Sequence, residues 1–270
     1  MATNILFIDV DDTLVTSIDG TQYIPPSALD AMARARSRGS RVYLCTGRSL
    51  AEALTVGEVP IDGIIGAAGG FVLDGQTMVA HETLSEADVA AIERFLLDHG
   101  ITYYLESNEG LLFEPTLYAA IGELWHIKEG AAFWGIAHSL EAHTNRSRIN
   151  KISYYSPTGV SFEEVSAALG SRFTLVKNSW GLPNTSGGEI SCKGINKATA
   201  IAKLLEHLGL PSVRTFGFGD SMNDIEMLQA CDEAIVMGDA RHGVEKYATF
   251  VTKPLLEDGL AYAMRHFGLA

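Results

Sequence analysis

Short apolar runs that stop abruptly at a polar residue or a glycine recur along this chain. Residues 5–8 (Ile-Leu-Phe-Ile) break into Asp9, residues 41–45 end at Thr46, residues 59–65 lead into Gly66, and residues 215–219 end at Asp220. Continuous short runs of this kind read as strands buried on both faces, the habit of a parallel sheet. Helical patterns lie between them. Residues 27–38 form one, with Ser27 as N-cap and Gly39 just past the end. A second starts at about Ser49. Ile201, Leu204, Leu205 and Leu208 line one face of a third, closed by Gly209 and Pro211. A fourth starts at about Met222, and short strands follow at 233–237 and 249–252.

The pattern changes from about Glu82 to Gly188, a stretch that is richer in aromatics and holds Trp125, Trp134 and Trp180. Residues 101–106 and 111–114 flank Ser107-Asn108-Glu109-Gly110 as a hairpin. Residues 151–155 and 172–177 read as further strands, with a helix at 162–169 between them. Paired strands with helices suit an α+β module. The predicted organisation is an α/β core with a doubly wound, Rossmann-like parallel sheet, made of residues 1–81 and 189–270. An α+β domain, residues 82–188, is inserted into it.

Composition narrows the function. Apolar residues are 47% of the 270, enough for a packed core. A formal net charge of −13 argues against nucleic acid and anionic membrane surfaces as partners. It leaves a small anionic substrate open, because exposed charges are screened beyond roughly 8–10 Å. No signal pattern precedes the first strand, and no apolar run approaches the roughly 20 residues of a membrane span. Cys45, Cys192 and Cys231 lack paired spacing and read as reduced thiols of a cytoplasmic protein.

Four clusters hold candidate chemistry, each at the carboxyl end of an expected core strand or on the helix after it. Open α/β sheets place their ligands there. The first is Asp9-Val10-Asp11-Asp12-Thr13. Carboxylates this close repel one another unless a cation lies between them, so a metal site and an acidic turn both fit. A calcium loop does not, since Leu14 stands where that loop needs glycine. The second is Thr46-Gly47-Arg48, whose donors suit phosphate oxygens but also make an ordinary strand-to-helix turn. The third is Lys197 in Gly194-Ile195-Asn196-Lys197. A first-turn lysine opposes the helix dipole, so it is either a solvated surface residue or an electrostatic one. The fourth is Gly219-Asp220-Ser221-Met222-Asn223-Asp224, where capping accounts for one polar residue but not for all.

Taken in order, the four clusters resemble motifs one to four of the haloacid dehalogenase-like (HAD) phosphohydrolases. Asp9, Asp11 and Thr13 match the phosphatase form, D-x-D-x-T. The position of the insertion, Asn150-Lys151-Ile152, Glu189-Ile190 and Glu257-Asp258-Gly259-Leu260-Ala261 are similar to the Cof-type subfamily with a large α/β (type IIB) cap. Asp12 stands where that subfamily usually has glycine, and Ala68-Gly69-Gly70 where it has Asn-Gly-Ala.

The resemblance implies a Mg²⁺-dependent phosphatase that acts on small phosphate monoesters, sugar phosphates above all, through an aspartyl-phosphate. It makes Asp9 the nucleophile, Asp11 the general acid and base, and Lys197 a catalytic cation. Asp9, Asp220 and the Asp11 carbonyl become the metal ligands. Thr13, Thr46, Gly47, Arg48 and Asn223 become phosphate-binding, with Asp224 orienting Lys197 or a metal-bound water. It also implies that the inserted domain covers the site and chooses the leaving group. Asn178, Trp180 and Asn184, which precede the return to the core, are candidates for specificity, with ordinary packing and turn chemistry as the alternative. A phosphomutase of the phosphomannomutase type and a non-catalytic phosphosugar sensor are the alternatives. A dehalogenase needs neither the second carboxylate nor Mg²⁺. The sequence leaves the oligomeric state open.

Overall fold

The computed structural model describes residues 3–18, 21–125, 127–142, 146–177, 186–241 and 243–270. The chain forms two compact units, Met1–Gly47, Val56–Ala80 and Asn196–Ala270 in one, Arg48–Thr55 and His81–Ile195 in the other.

An eight-stranded sheet organises the first unit. Its spatial order is Phe250–Val251, Glu233–Val236, Val213–Gly219, Thr3–Ile8, Arg41–Cys45, Gly63–Gly66, Phe71–Asp74, Thr77–His81. The first six run parallel, and Phe71–Asp74 turns back antiparallel to Gly63–Gly66. Thr3–Ile8 lies between Arg41–Cys45, which follows it in sequence, and Val213–Gly219, which arrives from the far end of the chain. That reversal is the switch point of a doubly wound sheet, where a crevice opens at the carboxyl ends of the strands. Ile5, Leu6, Phe7 and Ile8 are fully buried, as a strand covered on both faces requires. The helix Lys197–Leu208 contributes Ala200, Ile201 and Leu204 to a core shared with Ile5, Phe7, Tyr43 and Ile65.

Most expected elements form where the pattern puts them, with one altered cap. The helix expected at 27–38 is Pro26–Ser37 and its N-cap is Pro25, not Ser27. Pro26 has a φ suited to a first helical position and lacks an N–H that would need a partner. Ser27 falls inside the first turn and donates its hydroxyl to Asp258 (2.5 Å). Gly39, at φ +89°, follows the helix as expected.

The second unit holds a six-stranded sheet in the order Ala137–Ser139, Leu111–Phe113, Thr102–Ser107, Ile149–Ser156, Ser186–Cys192, Phe173–Lys177. The hairpin expected around residues 107–110 is present, its strands antiparallel. Ser186–Cys192 runs through residues 188 and 189 and pairs along its length with both neighbours. One face packs Tyr103, Leu105, Ile152, Tyr154 and Ile190 against the helices Glu86–Asp98 and Phe162–Leu169. The other carries Tyr104, Phe113 and Tyr155 beneath Leu117 and Ile121 of the helix Pro115–Leu124. Alternation places Glu106, Lys151, Ser153 and Glu189 on that second face too. Lys151 bridges Glu189 (2.9 Å) and Glu106 (3.4 Å), and Ser153 donates to Glu106 (2.6 Å). Burial pushes the Glu106 carboxyl up to about 8, against the pull of Lys151 and with help from Glu52 and Glu189. Asn178, Trp180 and Asn184 lie outside the described residues. No helix among the described residues is long and apolar enough to cross a membrane.

Candidate active site

Asp9 is the first residue beyond Thr3–Ile8, and its N–H still donates to Phe218 of the neighbouring strand (3.0 Å). The chain then turns at once. Leu14 and Val15 donate to the Val10 carbonyl, and Asp12 donates to Val15 (2.8 Å). This tight turn places Asp12 in the left-handed region, at φ +58°. Glycine is the usual tenant there, and aspartate is among the few side chains that tolerate it. Asp9 and Thr13 are buried, while Asp11 and Asp12 are exposed.

Lys197 answers the puzzle of a lysine in a first helical turn. Asn196 caps the helix Lys197–Leu208 and accepts from the Thr199 N–H (2.8 Å), so the helix starts at Lys197 itself. Its side chain is fully buried and donates to Asp9 (2.6 Å) and Asp224 (2.5 Å). Burial works against the ammonium, but the charges of Asp224 and Asp9 outweigh it and hold its pKa well above the usual lysine value. Burial and the Asp224 charge push the Asp9 carboxyl well above the usual range, with Lys197 pulling the other way.

Asp220 follows Val213–Gly219, on the strand beside Asp9's, and accepts from the Thr13 hydroxyl (3.4 Å). Asp224 curls back over it. One Asp224 oxygen takes the N–H groups of Asp220 (3.0 Å) and Ser221 (3.1 Å), and the other takes Lys197. Gly219 permits this approach, since a Cβ there would lie 2.6 Å from that of Asp224. Burial, then Asp224 and Asp12, push the Asp220 carboxyl up to about 7, against Arg241 and Lys197.

The other expected residues divide. Thr46 is buried at the end of Arg41–Cys45, held by its N–H to Ile65 (2.9 Å) and its carbonyl to Ala68 (3.1 Å). Gly47 follows it, and Arg48 opens the segment grouped with the second unit. Asn223 accepts from the Ser221 hydroxyl. Cys45, though adjacent, is no candidate nucleophile: burial drives its thiol pKa far above neutrality. Of two further contributors, Gly69 was noted in the sequence only within Ala68-Gly69-Gly70, and Arg241 was not noted at all. Gly69, at φ +104°, packs so tightly on Asn196 that a Cβ would meet its carbonyl oxygen at 2.3 Å. Arg241 donates its N–H to the Asp220 carbonyl (2.9 Å) and brings its guanidinium within 3.7 Å of Asp12. Asp12, Thr16, Asp220, Asp239, Arg241 and Leu255 line a cavity of about 240 Å³. Arg241 stands in a loop with no periodic signal, which is why pattern alone did not mark it.

The donor set fits a hard divalent cation. Asp9, Asp220 and Asp224 each offer a carboxylate oxygen within 4.8 Å of the others. Three buried carboxylates face one ammonium, and burying unbalanced charge is costly without a further cation. All-oxygen ligands suit Mg²⁺. Both Asp224 oxygens are already engaged, so Asp9 and Asp220 are the pair suited to hold an ion.

Comparison with known proteins places the chain in a family. Residues 6–264 match the family model of the haloacid dehalogenase-like hydrolases. The chain belongs to that family, as the motifs implied. Among its relatives, YkrA of Bacillus subtilis (strain 168) is 28% identical over 283 residues, covering 100% of this chain and 99% of that protein. The 5-amino-6-(5-phospho-D-ribitylamino)uracil phosphatase YwtE of the same organism is 25% identical, covering 94% of each. The fold matches BT1666 of Bacteroides thetaiotaomicron, a HAD phosphatase, with a TM-score of 0.79 and 22% identity over 100% of this chain and 96% of that one.

Proposed function

We propose that this protein is a Mg²⁺-dependent phosphatase of small phosphate monoesters, sugar phosphates among them, and that it works through an aspartyl-phosphate on Asp9. The observation that carries the reading is Lys197, buried between Asp9 and Asp224 while Asp220 stands within carboxylate reach of both. A site so rich in charge, at the switch point of the sheet, suits phosphoryl transfer, which depends mainly on positioning and charge neutralisation. The ribitylaminouracil phosphatase among its relatives acts on a phosphorylated sugar alcohol by name, which supports the substrate class.

In this reading an Asp9 oxygen attacks phosphorus as the ester P–O bond breaks. Asp11 gives a proton to the departing oxygen. Asp11 then removes a proton from the water that attacks the phosphorus of the aspartyl-phosphate, and phosphate leaves with Asp9 restored. Lys197, Thr46 and Asn223 hold phosphoryl oxygens, Thr13 steadies Asp220, and Asp224 fixes Lys197. Asp9, Asp220 and the Asp11 carbonyl would hold Mg²⁺, which supplies charge neutralisation and a fixed orientation for the phosphate.

The test is hydrolysis of an aryl phosphate and a panel of sugar phosphates by the purified protein, with free phosphate as the readout. Loss of turnover on chelation and in Asp9→Asn is expected. Turnover that persists in either case defeats the mechanism, and isomerised sugar phosphate without free phosphate would make the protein a mutase.

A further inference from the structure

The exposed pair Asp12 and Arg241 calls for an explanation that stability does not provide. Asp12 sits at φ +58°, a left-handed conformation that a residue with a Cβ adopts only at a cost. Its contacts are thin: a 3.4 Å hydrogen bond from Thr16 and a 3.7 Å ion pair to Arg241. The two side chains are 54% and 42% exposed, and a pair so exposed contributes little to stability. Stability alone would favour glycine at position 12.

The position of Arg241 supplies a reason. Its backbone N–H is tied to the Asp220 carbonyl at 2.9 Å, so the residue is anchored to the strand end that carries a proposed metal ligand. Arg241 lines the same cavity as Asp12 and Asp220, with its guanidinium 3.7 Å from Asp12. A resident guanidinium beside a metal-binding carboxylate competes with the metal for it. A carboxylate that holds that guanidinium aside, and cancels its charge, removes the competition.

We propose that Asp12 and Arg241 are positioning residues for the cation: Asp12 draws the Arg241 guanidinium away from Asp220 and so sets the affinity of the site for Mg²⁺. The inference rests on the proposed metal site and deepens it. With both side chains about half exposed, one unit charge acting on a dication corresponds to roughly a tenfold change in affinity at low salt, and it shrinks as ionic strength rises.

The test is titration of the full-length protein with MgCl₂ by calorimetry, without substrate, at low and moderate ionic strength. The chain at position 12 adopts a glycine-friendly conformation, so Asp12→Gly keeps the fold. Arg241→Gln keeps the backbone N–H to Asp220. Asp12→Gly is expected to weaken Mg²⁺ binding about tenfold at low salt and less at moderate salt. Arg241→Gln binds at least as tightly as the parent, and the double variant returns to within about twofold of it. A lost structural contact would produce neither the salt dependence nor the rescue. Unchanged affinity in Asp12→Gly, or a double variant as weak as Asp12→Gly, overturns the inference. Asp220→Asn separates the layers. If it binds Mg²⁺ as the parent does, the metal site itself is misplaced. If it loses binding while Asp12→Gly does not, only the role of Asp12 and Arg241 fails.

Discussion

Replacing Lys151 by methionine probes the buried charges of the second unit. Lys151 stands 2.9 Å from Glu189 and 3.4 Å from Glu106, with side-chain exposures of 4%, 20% and 2%. At an effective dielectric of about 20 the closer pair is worth about 6 kcal/mol gross. Roughly half of this is returned when the ammonium no longer has to be desolvated, which leaves a loss of about 3 kcal/mol. The pH dependence follows from Glu106, whose pKa rises from 4.5 to about 8 on folding. A raised carboxyl contributes stability that is complete below pH 4.5 and is lost as pH climbs to 8, after which the curve levels. Without Lys151 the carboxyl is pushed higher still, so the decline continues past pH 8. The two stability curves should therefore run parallel below pH 8 and diverge above it by up to about 1.4 kcal/mol per pH unit. Trp125, Trp134 and Trp180 all fall within residues 81–195, and Trp125 packs on Tyr104 and Tyr155 of this same sheet face. Urea unfolding followed by tryptophan fluorescence at pH 6 and pH 9.5 thus reads the affected unit. At an m-value of about 2 kcal/mol/M the midpoint should fall by about 1.5 M at pH 6 and further at pH 9.5. A variant within 0.5 kcal/mol of the parent at pH 6, with curves still parallel at pH 9.5, would refute the argument.

Other outcomes follow from the first unit. Gly219→Ala places a Cβ 2.6 Å from that of Asp224, so it should displace Asp224 and Lys197 and cut aryl phosphate turnover at least tenfold while costing about 1–3 kcal/mol in thermal unfolding. Gly69→Ala combines a 2.3 Å approach to the Asn196 carbonyl with φ +104°, and chemical denaturation should register a loss of about 2–4 kcal/mol. Added Mg²⁺ should raise the melting temperature of the parent in a concentration-dependent way but leave Asp220→Asn unmoved, because only a native site that holds the ion gains from it.

The sequence made the first unit of the fold legible because its signals are local. Apolar runs ending at Asp9, Thr46 and Asp220 locate strand tips, and strand tips locate the crevice. Periodicity gave the helix Lys197–Leu208 within its first turn, and Gly209 takes the left-handed C-cap expected of it. The strand Phe71–Asp74, which pairs antiparallel with Gly63–Gly66, and the edge strand Thr77–His81 were missed for a local reason, since neither has the long apolar run that marks a buried parallel strand. What else stayed hidden depends on contacts between distant residues. The ion cluster of Glu106, Lys151 and Glu189 joins three strands whose pairing no single stretch announces. The same holds for Asp12 and Arg241, which are brought together only when the sheet has formed.

The ordering of strands around Thr3–Ile8 also governs when the site can exist. Lys197 reaches Asp9 across 188 residues of chain, and Thr13 meets Asp220 across 207. Contacts so remote in sequence form late and slow folding. During synthesis on the ribosome the first strand waits, one flank uncovered, while the whole second unit emerges and folds. A nascent chain halted before residue 213 would thus hold Asp9 and Thr46 at the ends of paired strands yet lack both Lys197's cluster partner Asp224 and the strand that carries Asp220.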